Sequence, residues 1–443
     1  MLNLIKNKIY KLDINTLEVV KKSSSSLVVK AIGMAAAFAV SIILGRTIGP
    51  EGLGIIDLAN RVVGIVLILV MLGMGNVILK EIAIAYERKD WQRVANTIYT
   101  ALRINVPLTL VFSVVLILLT PWLTENFFNE PRLKIPLIIA LAVVVPQVLS
   151  RIFASGVNGF RKIWQSNLVN ETLSFTIVAI GLVILFLLKI EITVIKVAIV
   201  YAIGRITVTL AVSIYWKRLF KFSGKRILQT RALLKVALPL LVVSATTMIA
   251  SNADTIMLGW LSNTREVGFY NVAVRLGLLT SFFHMLTVSS LTPKVAALYS
   301  QNKKAELQKM VQQVTKGLGL IGLTGAVIFV LAGKYILNLW GNEFTAAYLP
   351  LVIISVGQFF NIATGATGVL LIMKGHEKIV GYISTISLIA NLILNYFLIP
   401  EYGVIGAALT TALTISFSNI LKVILVNKKL NINTLPSIKK YFK

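Results

Sequence analysis

Apolar residues run on along this chain for about 20 positions at a time, broken by short clusters of charged and polar residues. A bilayer core about 30 Å thick is crossed by about 20 helical residues. Twelve stretches meet that length, at residues 27–47, 55–79, 99–120, 134–156, 167–188, 192–215, 236–260, 268–292, 314–332, 346–371, 379–399 and 402–426. The pattern therefore predicts an all-α polytopic membrane protein of about 12 transmembrane helices. The polar run Tyr299 to Lys316 predicts a short surface helix before the ninth span.

The stretches are not independent. At an offset of 214 positions, Leu44, Gly45, Gly54, Ala59, Arg61 and Lys80 align without a gap on Leu258, Gly259, Gly268, Ala273, Arg275 and Lys294. The chain thus reads as two pseudo-symmetric halves of six helices, the layout of an alternating-access transporter. The expected organisation is an amphipathic cytoplasmic segment (1–26), an N-lobe (27–215), an inter-lobe linker (216–235), a C-lobe (236–426) and a basic tail (427–443). Small residues recur every fourth position in the first span (Gly33, Ala37, Ser41, Gly45, Gly49), and Thr247, Ser251, Thr255 and Gly259 answer in the seventh. Such stripes predict close helix approach.

Composition agrees with the pattern: 57% hydrophobic and only 14% charged residues, against roughly 25% charged in soluble proteins. The net charge of +27 would point to nucleic acid in a soluble chain, so placement decides its meaning. With residues near a span end assigned to the adjoining side, 33 of the 44 Lys and Arg fall to the amino-terminal segment, the even-to-odd connections and the tail, seven to the odd-to-even connections, and Lys30, Arg61, Arg205 and Arg275 are left within spans. This is the positive-inside bias, predicting cytoplasmic termini and contact with anionic phospholipids rather than nucleic acid. All six tryptophans sit at predicted span ends, where an amphipathic ring favours the interface.

With no Cys and two His, disulfides, thiol catalysis and zinc sites are excluded. There is no P-loop and no catalytic Ser/His/Asp set. Gly317, Gly319 and Gly322 spell GxGxxG, but they enter an apolar span instead of a βαβ unit, so they predict packing and not a dinucleotide.

The candidate chemistry lies in ionisable residues at membrane depth. Arg61 and Arg275 occupy matching levels of the second and eighth spans; a charge there is costly, and a guanidinium suits phosphate oxygens. The alternative for both is snorkelling to the interface. Asn60, beside Arg61, and Asn271, one turn before Arg275, join them as candidate substrate contacts. Asp254, with Asn252, forms a candidate ion or salt-bridge site, open to a coupling Na⁺ or H⁺. Asp57, one turn before Arg61, either caps its helix or orients the arginine, and it joins Asp254 and Asn252 as a possible ion or salt-bridge residue. Lys80 and Lys294 are candidates for a cytoplasmic gate. Asn391 and Asn395 read as interhelical hydrogen-bonding amides, and His284 as a satisfied interior histidine.

Four segments carry a resemblance: LGRTIGPEGLGIIDLANRVVGIV (44–66), NADTIMLGWLSNTREVGFYNVAVRL (252–276), LTPKVAALY (291–299) and NLILNYFLIPEYGVIGAALTTALT (391–414). In this order and spacing they resemble the polysaccharide transporter family, which includes the Wzx-type O-antigen flippases of the MOP exporter superfamily alongside MATE drug exporters and lipid II flippases. The resemblance implies two six-helix lobes around a central cavity in a bacterial plasma membrane, and passage of undecaprenyl-pyrophosphate-linked oligosaccharide to the outer leaflet. Partners would include polysaccharide polymerase and glycosyltransferases. It also implies no catalysis and no bound cofactor. Related lipid II flippases carry arginines on the second and eighth helices, matching Arg61 and Arg275, but the first span here lacks an interior arginine. A lipid II flippase or a MATE-like cation-coupled drug antiporter is the alternative.

Overall fold

The computed structural model describes residues 14–435, which are 88% helical, with no strand among them. The expected segment 1–26 and tail 427–443 lie partly outside the described residues, as does the side chain of Thr247. The helices are α1 (Ile14–Met71), α2 (Met74–Glu87), α3 (Trp91–Trp122), α4 (Lys134–Ala142), α5 (Val144–Gly159), α6 (Ile163–Asn167) and α7 (Leu173–Leu187). They continue as α8 (Val194–Leu219), α9 (Thr230–Leu261), α10 (Thr264–Ser300), α11 (Lys304–Leu337), α12 (Tyr348–Ala363), α13 (Thr367–Met373) and α14 (Glu377–Leu430).

Among the described residues seven helices are long and apolar enough to cross a membrane, or up to ten if each of three bent pairs is one span. Two of the seven, Val28–Met71 and Glu377–Leu430, run 44 and 54 residues, about 66 and 81 Å at 1.5 Å per residue, twice a bilayer core. Each turns at a glycine, Gly49 (φ 68°) and Gly403 (φ 53°), close to Pro50 and Pro400. A left-handed residue beside a proline interrupts the helix, and only glycine takes that conformation at little cost. Counting each as two, length and composition allow twelve crossings. Gly49, expected in the packing stripe, is therefore a turning point, and a Cβ there would meet nothing within 4 Å. The expected surface helix at 299–316 also differs: residues from Lys304 onward are continuous with the ninth span in α11. No Gly or Pro separates Lys304 from Lys316, so nothing stops the helix, and Leu307 and Val311 are buried.

Leu110, Val111, Val114, Val115, Leu118 and Leu119 are all exposed on α3, a continuous apolar surface on a span-length helix that suits contact with lipid. The chain is a membrane-embedded, multi-pass protein.

Two compact units form, one from residues up to Ile43, Val62–Thr124 and Pro131–Ala245, the other from Leu44–Arg61, Glu125–Glu130 and Thr246 onward. Residues 216–235, expected to join the halves, lie wholly in the first unit. There the segment after α8 is fastened along α3. Gln92 Nε2 donates to the Lys225 carbonyl (2.7 Å), Asn96 Oδ1 accepts from Ile227 N (2.8 Å) and Thr100 Oγ1 accepts from Gln229 N (3.0 Å). Gln92, Asn96 and Thr100 are four apart, hence on one helix face. Trp216 stacks on Phe160 with centroids 5.4 Å apart and also meets Phe220, closing the same end.

The second unit is organised by a crossing of α10 with the arm of α1 after Gly49. A Cβ on Gly54 would lie 1.7 Å from the Thr264 carbonyl oxygen, and one on Gly268 would lie 2.1 Å from that of Pro50. Both pairs are related by the 214-residue repeat. Glycine is required at each because backbone touches backbone. Trp340, 1% exposed, fills the space beside Gly45.

Candidate functional site

One turn beyond the glycine crossing, each helix presents a polar residue, and one turn further an arginine: Asp57 and Arg61 on α1, Asn271 and Arg275 on α10. Spacing of four would let each arginine bond its own helix neighbour. The crossing instead exchanges the partners. Arg61 Nη2 donates to Asn271 Oδ1 (3.3 Å), and Arg275 Nη2 donates to Asp57 Oδ1 (2.6 Å). Arg61 Nη1 also donates to Asn252 Oδ1 of α9 (3.1 Å). The repeat seen in sequence is thus a reciprocal contact in space.

The two arginines differ in electrostatics. Arg275 is neutralised by a carboxylate, with side-chain exposures of 25% for Arg275 and 7% for Asp57. Both hydrogen-bond partners of Arg61 are neutral amides. Arg275 lies eleven residues into α10, about 16 Å along its axis, deeper than an arginine side chain reaches. That depth argues against snorkelling to the helix start and for a polar interior.

Asp254 of α9, buried with 9% exposure, is the second focus. Its Oδ1 accepts from Asn391 Nδ2 (2.9 Å) and Asn395 Nδ2 (2.6 Å), and its Oδ2 from Tyr270 (2.7 Å) and Thr411 (2.8 Å). Four neutral donors satisfy this carboxylate, and its hydrogen-bond partners include no cationic side chain. Asn252, expected beside it, turns to Arg61. Asn391 and Asn395, expected to bond between helices, do so here; their spacing of four was the signal for a shared target. Tyr270 and Thr411 carried no such signal.

Asn60 is half-buried on α1, and Lys80 on α2 and Lys294 on α10 are exposed. Lys294 is about 28 Å along α10 from Arg275, consistent with an end position. Asp57 lies inside a continuous helical arm and caps nothing; it is an ion-pair partner. His284 Nε2 lies 3.3 Å from the Gly365 carbonyl, a satisfied interior contact. Among the described residues no group of three or more His, Cys, Asp or Glu could hold a metal ion.

The described residues thus form a multi-pass α-helical membrane protein with a repeat-related pair of arginines at membrane depth. The sequence matches the family described as "Polysaccharide biosynthesis protein" over residues 19–299, and the MatE family over 239–397. The chain belongs to the polysaccharide biosynthesis protein family. Among curated relatives, it is 31% identical to the probable flippase AglR of Haloferax volcanii over 42% of this chain and 39% of that one. It is 26% identical to the capsular polysaccharide biosynthesis protein CapF of Staphylococcus aureus over 40% and 46%. The matched region spans less than half the length of these relatives. Among solved structures, the lipid II flippase MurJ in an inward closed conformation superposes with a TM-score of 0.69 at 15% identity, covering 92% of this chain and 87% of that one, which establishes a shared fold.

Proposed function

We propose that this chain is a flippase carrying a lipid-linked oligosaccharide, joined to its polyprenyl carrier through pyrophosphate, from the inner to the outer leaflet by alternating access. It would work in a bacterial plasma membrane with both termini cytoplasmic, as a transporter and not an enzyme. The observation that carries this reading is the arginine pair: two repeat-related guanidinium groups at membrane depth, brought together by the helix crossing, whose forks suit the oxygens of a phosphate-bearing cargo. The names of the flippase and capsular relatives support the cargo class.

Arg61 and Arg275 are assigned to the pyrophosphate, and Asn60 and Asn271 to its oxygens or to saccharide hydroxyls. Lys80 and Lys294 are assigned to closure at the cytoplasmic end. A potential of about 100 mV, negative inside, is worth about 2.3 kcal/mol per charge, so a cargo with two negative charges can be exported by the potential alone. Asp254 and its four donors would add coupling to Na⁺ or H⁺. Anionic phospholipids, a polymerase and glycosyltransferases are the proposed partners. The reading is tested in proteoliposomes with a fluorescent polyprenyl-pyrophosphate oligosaccharide and a membrane-impermeant quencher. The protein should accelerate transbilayer movement, and alanine at Arg61 or Arg275 should abolish it; a rate equal to protein-free vesicles overturns the reading.

A further inference from the structure

The repeat is broken at one chemically decisive position. Residues 61 and 275 are both arginine and residues 54 and 268 both glycine, but position 57 is aspartate where position 271 is asparagine. Because the crossing exchanges partners, this single difference leaves Arg61 facing amides and Arg275 facing a carboxylate. Asp57 itself is 5% exposed, and only one of its oxygens is used. Oδ1 takes the bond from Arg275, while Oδ2 is buried and without a partner among the described residues. An ionised carboxylate offers about four acceptor sites, and buried charges are retained when those sites are met. A half-satisfied aspartate on a quarter-exposed arginine is a poor structural ion pair.

It is, however, well suited to another task. We propose that Asp57 is an internal substitute for the cargo's phosphate: it occupies Arg275 in the empty carrier and is displaced from it by the entering anion. This inference rests on the reading that the two arginines meet a pyrophosphate. Arg61, whose hydrogen bonds go to the amides of Asn252 and Asn271 and not to a carboxylate, makes first contact; the second phosphate then competes with Asp57 for Arg275. Once displaced, Asp57 lies close to the bound anion and repels it, so the site releases what it binds. A symmetric site with asparagine at both positions would bind more tightly and turn over more slowly. Discrimination against other ligands follows too, since only a group more strongly anionic than a carboxylate displaces one from a guanidinium fork.

The test uses the purified full-length protein in nanodiscs, inorganic pyrophosphate as probe, and calorimetric or thermal-shift titration at two salt concentrations. Asp57→Asn installs the residue that the other copy already carries and should tighten pyrophosphate binding by roughly tenfold or more, as expected for removing a like charge at close range. Asn271→Asp places a carboxylate opposite Arg61 and should weaken binding, which decides the matter even where the first variant folds poorly. Arg61→Ala separates the two claims. If Arg61→Ala abolishes binding while Asp57→Asn leaves it unchanged or weaker and Asn271→Asp has no effect, Asp57 is purely structural and the inference fails while the anion site stands. If Arg61→Ala leaves binding intact, the anion site itself is wrong.

Discussion

The backbone crossing that exchanges the arginine partners makes a quantitative demand on Gly54. A Cβ there would lie 1.7 Å from the Thr264 carbonyl oxygen, and real Cβ contacts do not fall below 3.0 Å. Gly54→Ala therefore forces the α1 arm and α10 apart by about 1.3 Å, since a close-packed interior cannot absorb the clash by rotamer change. The same displacement stretches the 3.3 Å bond between Arg61 and Asn271 beyond hydrogen-bonding range, and takes the 2.6 Å Asp57 contact of Arg275 to the limit of an ion pair. Overpacking costs about 1–3 kcal/mol and the weakened polar contacts about 1–2 kcal/mol more, which lowers Tm by on the order of 5 °C. Gly268→Ala needs only about 0.9 Å from its 2.1 Å contact and should cost less. Gly317→Ala, whose Cβ meets nothing within 4 Å, should leave Tm unchanged or raise it slightly. Thermal unfolding of the three detergent-purified variants measures this order. A Gly54→Ala protein that melts with the wild type would refute the crossing.

Two further outcomes are expected. Asp254→Ala strands the donors of Asn391, Asn395, Tyr270 and Thr411 and should destabilise by about 3–5 kcal/mol, with Asp254→Asn milder; equal melting of wild type and alanine variant would contradict the network. In a chain without cysteine, single substitutions give a clean topology readout: in intact cells an impermeant thiol reagent should label Asn263→Cys and spare Ser223→Cys, and the reverse would invert the orientation.

Much of this architecture was legible in the sequence because spanning helices obey one strong rule, about 20 apolar residues each. The equivalence of Arg61 and Arg275 was legible too, since an ungapped offset of 214 preserves helical phase. What those arginines bond was not. Spacing of four pairs Asp57 with Arg61 and Asn271 with Arg275, and only the glycine crossing reverses that preference. Asn391 and Asn395 advertised a shared face, but Tyr270 and Thr411 come from elements whose approach is a tertiary matter. Gly49 illustrates the opposite error: it fits a small-residue stripe by spacing, yet the adjoining Pro50 marks it as a break, and the local signal prevailed.

In the proposed mechanism Arg61 and Arg275 grip one pyrophosphate. The most direct measurement of that grip is a double-mutant cycle in the reconstituted flipping assay, with melting temperature checked for each variant. If both arginines serve one anion, Arg61→Ala and Arg275→Ala should each abolish flipping, the double variant should be no worse than either single one, and lysine should rescue only in part because it lacks the bidentate fork. Wild-type flipping in the double alanine variant, or losses that follow melting temperature alone, would contradict the account.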